Sequence, residues 1–104
     1  MGQFIDLVGA SGATYRFRAW PDAGQAPIAG NFAVASRTGP ELKVQLLGVT
    51  TDLSRALAQV AVAGLSGKPV FVRLNVARAA RHAVHDDLIA AYASAQVVDA
   101  EPAS

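Results

Sequence analysis

Apolar and polar residues alternate along several short stretches of the chain, and a period of two is typical of half-buried β-strands. One such stretch places Tyr15, Phe17 and Ala19 on one face. It follows a Gly-Ala-Ser-Gly sequence at residues 9–12, which is itself preceded by an apolar segment at residues 4–8. Two such segments joined by a short glycine-rich turn predict an N-terminal β-hairpin.

A second hairpin is predicted further along the chain. Turn-forming residues fill positions 21–30 and indicate a loop. Strands are then expected at residues 31–36 and 42–47, with a turn at residues 38–40 between them. The second of these strands places three apolar side chains on one face, namely Leu42, Val44 and Leu46. This pattern predicts an antiparallel hairpin that packs on a core.

Helical and strand patterns alternate in the rest of the chain. A helix is predicted over residues 52–63, because Asp52 can cap its free amides and apolar residues recur at helical spacing. Alternation over residues 70–76 predicts a strand, and apolar residues four positions apart predict an amphipathic helix over residues 77–93. This order predicts an α/β (α+β) fold, with a small mixed, mostly antiparallel sheet and two main helices packed on it.

Composition predicts one folded domain. Of the 104 residues, 52% are hydrophobic and only 16% are charged, which is unlike the composition of disordered chains. We therefore assign residues 1–98 to a single domain and expect residues 99–104 to form a flexible tail.

Charge and cysteine content narrow the expected setting. The chain contains no cysteine, which favours a reducing compartment, so we expect a cytoplasmic location. Asp6 interrupts the apolar N-terminal segment, and no apolar run approaches the roughly 18 residues of a membrane span, so neither a secretory signal nor a membrane partner is expected. A net charge of +1 is well below the basic excess typical of non-specific phosphate binding.

Three short sequences stand at element boundaries of the predicted second half. They are Gly30-Asn31-Phe32, Leu46-Leu47-Gly48 and the segment Gly48-Val49-Thr50-Thr51-Asp52-Leu53-Ser54-Arg55-Ala56-Leu57. Together with the β-β-α-β-α order from residue 31 onward, they resemble the core of the GIY-YIG nuclease superfamily. A fourth sequence, His85-Asp86-Asp87-Leu88-Ile89, is similar to the family segment that presents a metal-binding carboxylate.

The resemblance implies a GIY-YIG-like core at residues 30–93. The hairpin and loop at residues 1–29 lie outside that core and resemble the extra N-terminal hairpin of a small bacterial subgroup.

Most positions that the resemblance assigns to catalysis have changed residue type. The two tyrosine positions correspond to Phe32 and Leu46, which carry no hydroxyl. The catalytic arginine position corresponds to Ala56, and the neighbouring Arg55 lies about 100° away around the helix. The metal-binding glutamate position corresponds to His85, although magnesium prefers oxygen ligands. We therefore assign no catalytic residue, and the resemblance implies a domain that has lost cleavage.

The last helix carries a basic stripe with two interpretations. Arg78, Arg81, His82 and His85 follow one another at steps of three and four, so they occupy neighbouring turns. The stripe is either an anion site or a solvated helix face, and the near-neutral net charge favours the solvated face. With Asp86, the two histidines could ligate a borderline metal, but one more ligand would be needed, so no metal or cofactor is predicted.

The N-terminal hairpin carries a further candidate. Arg16, Arg18 and Trp20 share a strand face and could bind a nucleic-acid strand by stacking and charge neutralisation. The alternative is a packed outer face with arginines that reach solvent, and we favour it. The glycine-rich residues 9–12 lack the Gly-Lys-Ser/Thr ending of a phosphate-binding loop, so we interpret them as a turn.

Three functional hypotheses follow. The leading one is a non-catalytic GIY-YIG-like binding module for another protein or for a second copy of itself. The alternative is a nucleic-acid binder that has lost cleavage and uses Arg55, Arg73, Arg78 and His85. The third is a metal-dependent nuclease in which His85 replaces the glutamate.

Overall fold

The computed structural model describes residues 3–20 and 27–101. The elements in these ranges are β1 (Phe4–Val8), β2 (Thr14–Ala19), β3 (Gly30–Thr38), β4 (Glu41–Thr50), a 3₁₀ turn (Leu53–Arg55), α1 (Ala56–Val62), β5 (Val70–Leu74), α2 (Arg78–Ala91) and β6 (Gln96–Ala100).

The strands form one six-stranded sheet in the order β1-β2-β5-β3-β4-β6. Every neighbouring pair is antiparallel except β4 and β6, which are parallel. The predicted mixed, mostly antiparallel sheet with two packed helices is therefore confirmed. Neither helix in the described ranges has the length and apolarity required to cross a lipid bilayer.

The two helices cover opposite faces of the sheet. Neighbouring residues of β3 show this directly, because Phe32 packs in a core with α1 whereas Ala33 packs in a core with α2. The α1-side core contains Phe32, Val34, Leu46, Leu53, Ala56, Val60, Val70 and Val72. The α2-side core contains Ile5, Leu7, Phe17, Ala33, Ala35, Val44, Leu47, Phe71, Val84 and Leu88. The apolar composition is thus used in two cores on one sheet.

A bulge in the second hairpin corrects one prediction. Val34 pairs with Leu46, but the next residue, Ala35, pairs with Val44, so Gln45 is left over. An extra residue in one strand reverses the alternation of side chains beyond it. Val44 and Leu46 consequently pack in different cores, and the prediction that they share a face was wrong.

The C-terminal segment also differs from its prediction. Residues 96–100 form β6, and the side chain of Glu101 is only 2% exposed, although a tail was expected from residue 99. Strand β6 was not visible in the sequence because its pairing partner, β4, lies about fifty residues earlier. The end of the predicted tail, residues 102–104, and most of the predicted loop, residues 21–26, lie outside the described residues.

Local packing explains two residues in the second half of β4 and the turn that follows it. A Cβ atom on Gly48 would lie 2.2 Å from Cζ of Phe32, so only glycine allows this close approach. The predicted cap is confirmed, because the Asp52 carboxylate accepts a hydrogen bond of 3.0 Å from the Ser54 amide. Gly48 and Asp52 therefore both have structural roles.

Candidate functional site

The positions that the nuclease resemblance would assign to catalysis do not lie together. Phe32, Leu46 and Ala56 are fully buried in the α1-side core. His85 is buried on the opposite face, under α2. The intact sheet separates these two groups, and the first group has no contact with solvent. In the described structure they form no open catalytic cleft.

The basic stripe on α2 surrounds a buried carboxylate. Glu101, which directly follows β6, forms an ion pair with Arg81 and contacts Nε2 of His82, and Arg78 approaches it to 3.6 Å. Arg81 also donates a 2.7 Å hydrogen bond to the carbonyl of Val76. Burial raises the pKa of Glu101. Hydrogen bonds from His82 and Arg81 outweigh this effect and hold the pKa below its ordinary value.

The two interpretations of the stripe therefore need correction. Arg81 and His85 are buried, so they do not form a solvated helix face. An internal carboxylate occupies the position at which an external anion would neutralise Arg81. Sequence reasoning missed Glu101 because nothing in its neighbourhood of the chain indicates a structured strand end.

His85 has the environment of a core histidine. Burial lowers its pKa, and the negative charges of Asp86 and Asp99 offset that effect only in part. The described ranges contain no group of three or more His, Asp or Glu side chains arranged to hold a metal ion. The arrangement of His82, His85 and Asp86 thus offers no observed metal centre.

A second polar cluster fixes the turn between β1 and β2 to α2. The carboxylate of Asp87 accepts hydrogen bonds from the Ser11 amide at 2.8 Å, the Ser11 hydroxyl at 2.6 Å and the Tyr15 hydroxyl at 2.8 Å. Hydrogen bonds from Ser11 and Tyr15 lower the pKa of Asp87, and the bond to Asp87 raises the pKa of Tyr15. The raised pKa keeps the Tyr15 hydroxyl protonated, so it remains a hydrogen-bond donor to Asp87 and helps to hold the turn against α2. Residues 9–12 form a turn, as predicted.

An opening between β2 and β5 brings arginines together, and we call it the arginine fork. It has a volume of about 450 Å³ and is lined by Arg16, Arg18, Val72, Arg73 and Leu74. Arg16 forms a 3.0 Å ion pair with Asp6, and its guanidinium stacks 3.8 Å from the centroid of the Phe4 ring. Neither the ion pair nor the stacking covers Arg18, which is exposed.

The candidate trio of Arg16, Arg18 and Trp20 is divided by the structure. Trp20 is partly buried and packs against the α1-side core, whereas both arginines are exposed. Packing therefore accounts for the tryptophan but not for the arginines. Arg73, which the sequence placed in a different candidate set, joins the two arginines in the fork.

A larger groove lies at one end of the sheet, and we call it the sheet-end groove. Its volume is about 610 Å³, and its lining consists of Gln3, Phe4, Ile5, Ala35, Ser36, Arg37, Leu42, Pro69 and Phe71. These residues lie where β1, β4 and β5 begin and where β3 ends. The directions of the strands place these four termini at the same end of the sheet. Three of them, Ile5, Ala35 and Phe71, are buried members of the α2-side core, so the groove lies directly against that core.

The four residues of the nucleic-acid hypothesis are dispersed. Arg55 is 77% exposed next to α1, with Asp52 at 3.8 Å. Arg73 lies in the arginine fork, whereas Arg78 and His85 belong to α2 on the opposite side of the sheet from Arg55. The structure does not bring these four residues into one groove.

Comparison of the chain with family models, curated proteins and solved structures gave no match.

Proposed function

We propose that this chain is a non-catalytic binding module with a GIY-YIG-like order of elements, and that it binds an extended segment of another protein in the sheet-end groove. The observation that carries the proposal is the groove itself, whose lining combines the exposed apolar residues Phe4 and Pro69 with the half-buried Leu42. The cysteine-free composition favours a cytoplasmic site of action.

Size and lining suit one large apolar side chain. Phe4, Ile5, Leu42, Pro69 and Phe71 contribute the apolar surface, and the volume of about 610 Å³ is in the usual range of ligand pockets. Removal of about 100 Å² of apolar surface from water contributes roughly 2.5 kcal/mol. One anchoring side chain therefore gives measurable, reversible binding when backbone contacts accompany it.

The rim of the groove adds a charge preference. Arg37 is exposed at the end of β3, and within the described ranges it forms no salt bridge. An acidic residue near the anchor would pair with this guanidinium, which favours recognition more through specificity than through affinity. The proposed ligand is thus a segment with a large apolar residue close to Asp or Glu.

Selection of a random peptide display library on the immobilised protein tests the proposal. We expect enrichment of an apolar residue next to an acidic one. Leu42→Asp places a carboxylate in the groove and should abolish the enrichment, and Arg37→Glu should remove only the acidic preference. Val62→Asp is the matched control, because Val62 is an 85% exposed apolar residue on α1, away from the groove.

Light scattering at high protein concentration identifies the case in which the partner is a second copy. A dimer that Leu42→Asp dissociates and Val62→Asp preserves would assign the groove to self-association. A monomer together with a library that enriches the same peptides on wild type and on Leu42→Asp would refute a binding role for this groove.

Metal-dependent cleavage with altered ligands has less support. His85 is buried and lies across the sheet from Arg55, so the two residues cannot act on one phosphodiester group. The nucleic-acid alternative also has less support, because its four residues do not lie in one groove. The arginines that do converge are those of the fork.

A further inference from the structure

We propose that the arginine fork is a binding site for a phosphate group, separate from the proposed protein-binding groove. The fork and the sheet-end groove share no lining residue. The argument depends on three features of the fork: two backbone amides beyond the paired β2–β5 register, an arginine beside them, and an excess of positive charge.

The backbone ladder between β2 and β5 stops one step early. The Trp20 amide donates to the carbonyl of Val70 at 2.8 Å, and Arg18 pairs with Val72 in the same register. Since hydrogen-bonded pairs recur every second residue in antiparallel strands, Arg16 and Leu74 would form the next pair. That pair is absent from the β2–β5 register of the described residues.

The missing pair leaves two amide donors directed into the opening. Along β2 and into Trp20, which directly follows it, backbone orientation repeats every second residue. The amides of Arg16 and Trp20 therefore point in the same direction, and the Trp20 amide bonds toward β5. By the same rule Leu74 directs its amide toward β2, because the carbonyl of Val70 already does so. Converging backbone amides are suitable donors for an oxyanion.

Arg73 occupies the carbonyl side of this gap. Its Nη1 donates a 3.2 Å hydrogen bond to the carbonyl of Arg16, the group that Leu74 would otherwise bind. Its guanidinium also lies 5.6 Å from the centroid of the Tyr15 ring, and its Nε is buried without a hydrogen-bond partner in the described structure. Arg73 therefore satisfies the Arg16 carbonyl, and its side chain extends from β5 to β2. The amides of Arg16 and Leu74 remain available to a ligand.

The charge of the fork matches a phosphate dianion. Arg16, Arg18 and Arg73 carry three positive charges, and Asp6, which pairs with Arg16, contributes one negative charge nearby. The balance is two positive charges around an opening lined otherwise by Val72 and Leu74. Planar guanidinium groups bind phosphate oxygens through paired hydrogen bonds. Donors from two strands and from side chains fit a tetrahedral oxyanion better than a planar carboxylate.

The test is an amide NMR titration with inorganic phosphate at constant ionic strength, with sodium acetate as the carboxylate arm. We expect saturable shifts of the Arg16 and Leu74 amides with phosphate. Arg18→Gln should weaken binding by about tenfold, the loss expected for one charge-assisted hydrogen bond. Asp6→Asn should strengthen binding, because it releases Arg16. Arg55→Gln is the control with the same charge change at an exposed site outside the fork.

A pair of short oligonucleotides, with and without a 5′-phosphate, separates the sources of the group. Competition by the phosphorylated form alone would assign the site to phosphomonoesters, and equal competition by both would assign it to the phosphates of a nucleic-acid strand. Shifts that do not saturate, that acetate reproduces, or that Arg55→Gln reduces as much as Arg18→Gln would overturn the proposal. A loss of phosphate affinity in Asp6→Asn would overturn it as well. None of these results depends on peptide binding in the sheet-end groove.

Discussion

Glu101 offers a direct test of how β6 is held, because its carboxylate is the shared partner of a buried basic cluster. Arg81 and Glu101 have side chains that are 6% and 2% exposed, and His82 pairs with the same carboxylate. In the Glu101→Gln variant the side chain keeps its shape but loses its charge. Arg81 is then left as a buried cation without a counter-ion.

The expected loss of unfolding free energy is about 3 kcal/mol, the lower end of the range for removing one partner of a buried ion pair. The lower end applies for two reasons. Arg81 retains its hydrogen bond to the Val76 carbonyl, and β6 is an edge strand that can detach and let Arg81 reach water. Urea denaturation followed by circular dichroism measures the loss, with Asp86→Asn as a control for an exposed carboxylate on α2.

We expect the Glu101→Gln variant to differ from wild type in the pH dependence of its stability as well. The pKa of Glu101 is lowered in the folded state from its ordinary value of 4.5, so its contribution is present above that value. The contribution is lost as the pH falls through the lowered folded pKa. Wild type should therefore lose stability below about pH 4.5 more steeply than Glu101→Gln does. A loss below about 1 kcal/mol at neutral pH, with parallel pH profiles, would refute this account of the cluster.

Two further predictions concern close packing and the turn between β1 and β2. Gly48→Ala should lower the unfolding free energy by at least about 2 kcal/mol, because the added methyl group would overlap the buried Phe32 ring; a cost below about 0.5 kcal/mol in urea denaturation would show that the ring moves freely. Asp87→Asn should speed hydrogen exchange at the Ser11 amide, because the Asp87 carboxylate accepts a hydrogen bond from that amide. The exchange rates of the β6 amides should not change. Equal acceleration in β6 would mean that global unfolding, and not the turn, is affected.

Features that depend on local sequence were predicted well. The turn at residues 38–40 joins β3 and β4 where Gly39 takes a positive φ, and Asp52 caps the start of the helical segment. Alternation identified β2 and β5, and four-residue spacing identified α2. Each of these signals lies within a few residues of the structure that it specifies, so no knowledge of the fold was required.

Features that depend on distant pairing were not predicted. Ser11 and Asp87 are separated by 76 positions, and the sequence around each residue does not indicate that they form a hydrogen bond. The bulge at Gln45 changes the direction of Val44, yet an extra residue in a strand does not disturb the apolar pattern itself. The three arginines of the fork come together only because β2 pairs with β5 across the sheet. Candidate sites made from several strands are therefore visible only in the folded structure.

Both proposed binding sites draw residues from the N-terminal hairpin. Its first strand supplies Phe4 and Ile5 to the sheet-end groove, and its second supplies Arg16 and Arg18 to the arginine fork. The second hairpin is used for packing instead, since Phe32 is fully buried in the α1-side core. The edge hairpin, in contrast, presents exposed side chains to both proposed sites, namely Phe4, Arg16 and Arg18. Function in this chain should therefore follow β1 and β2, and substitutions there should affect binding more than stability.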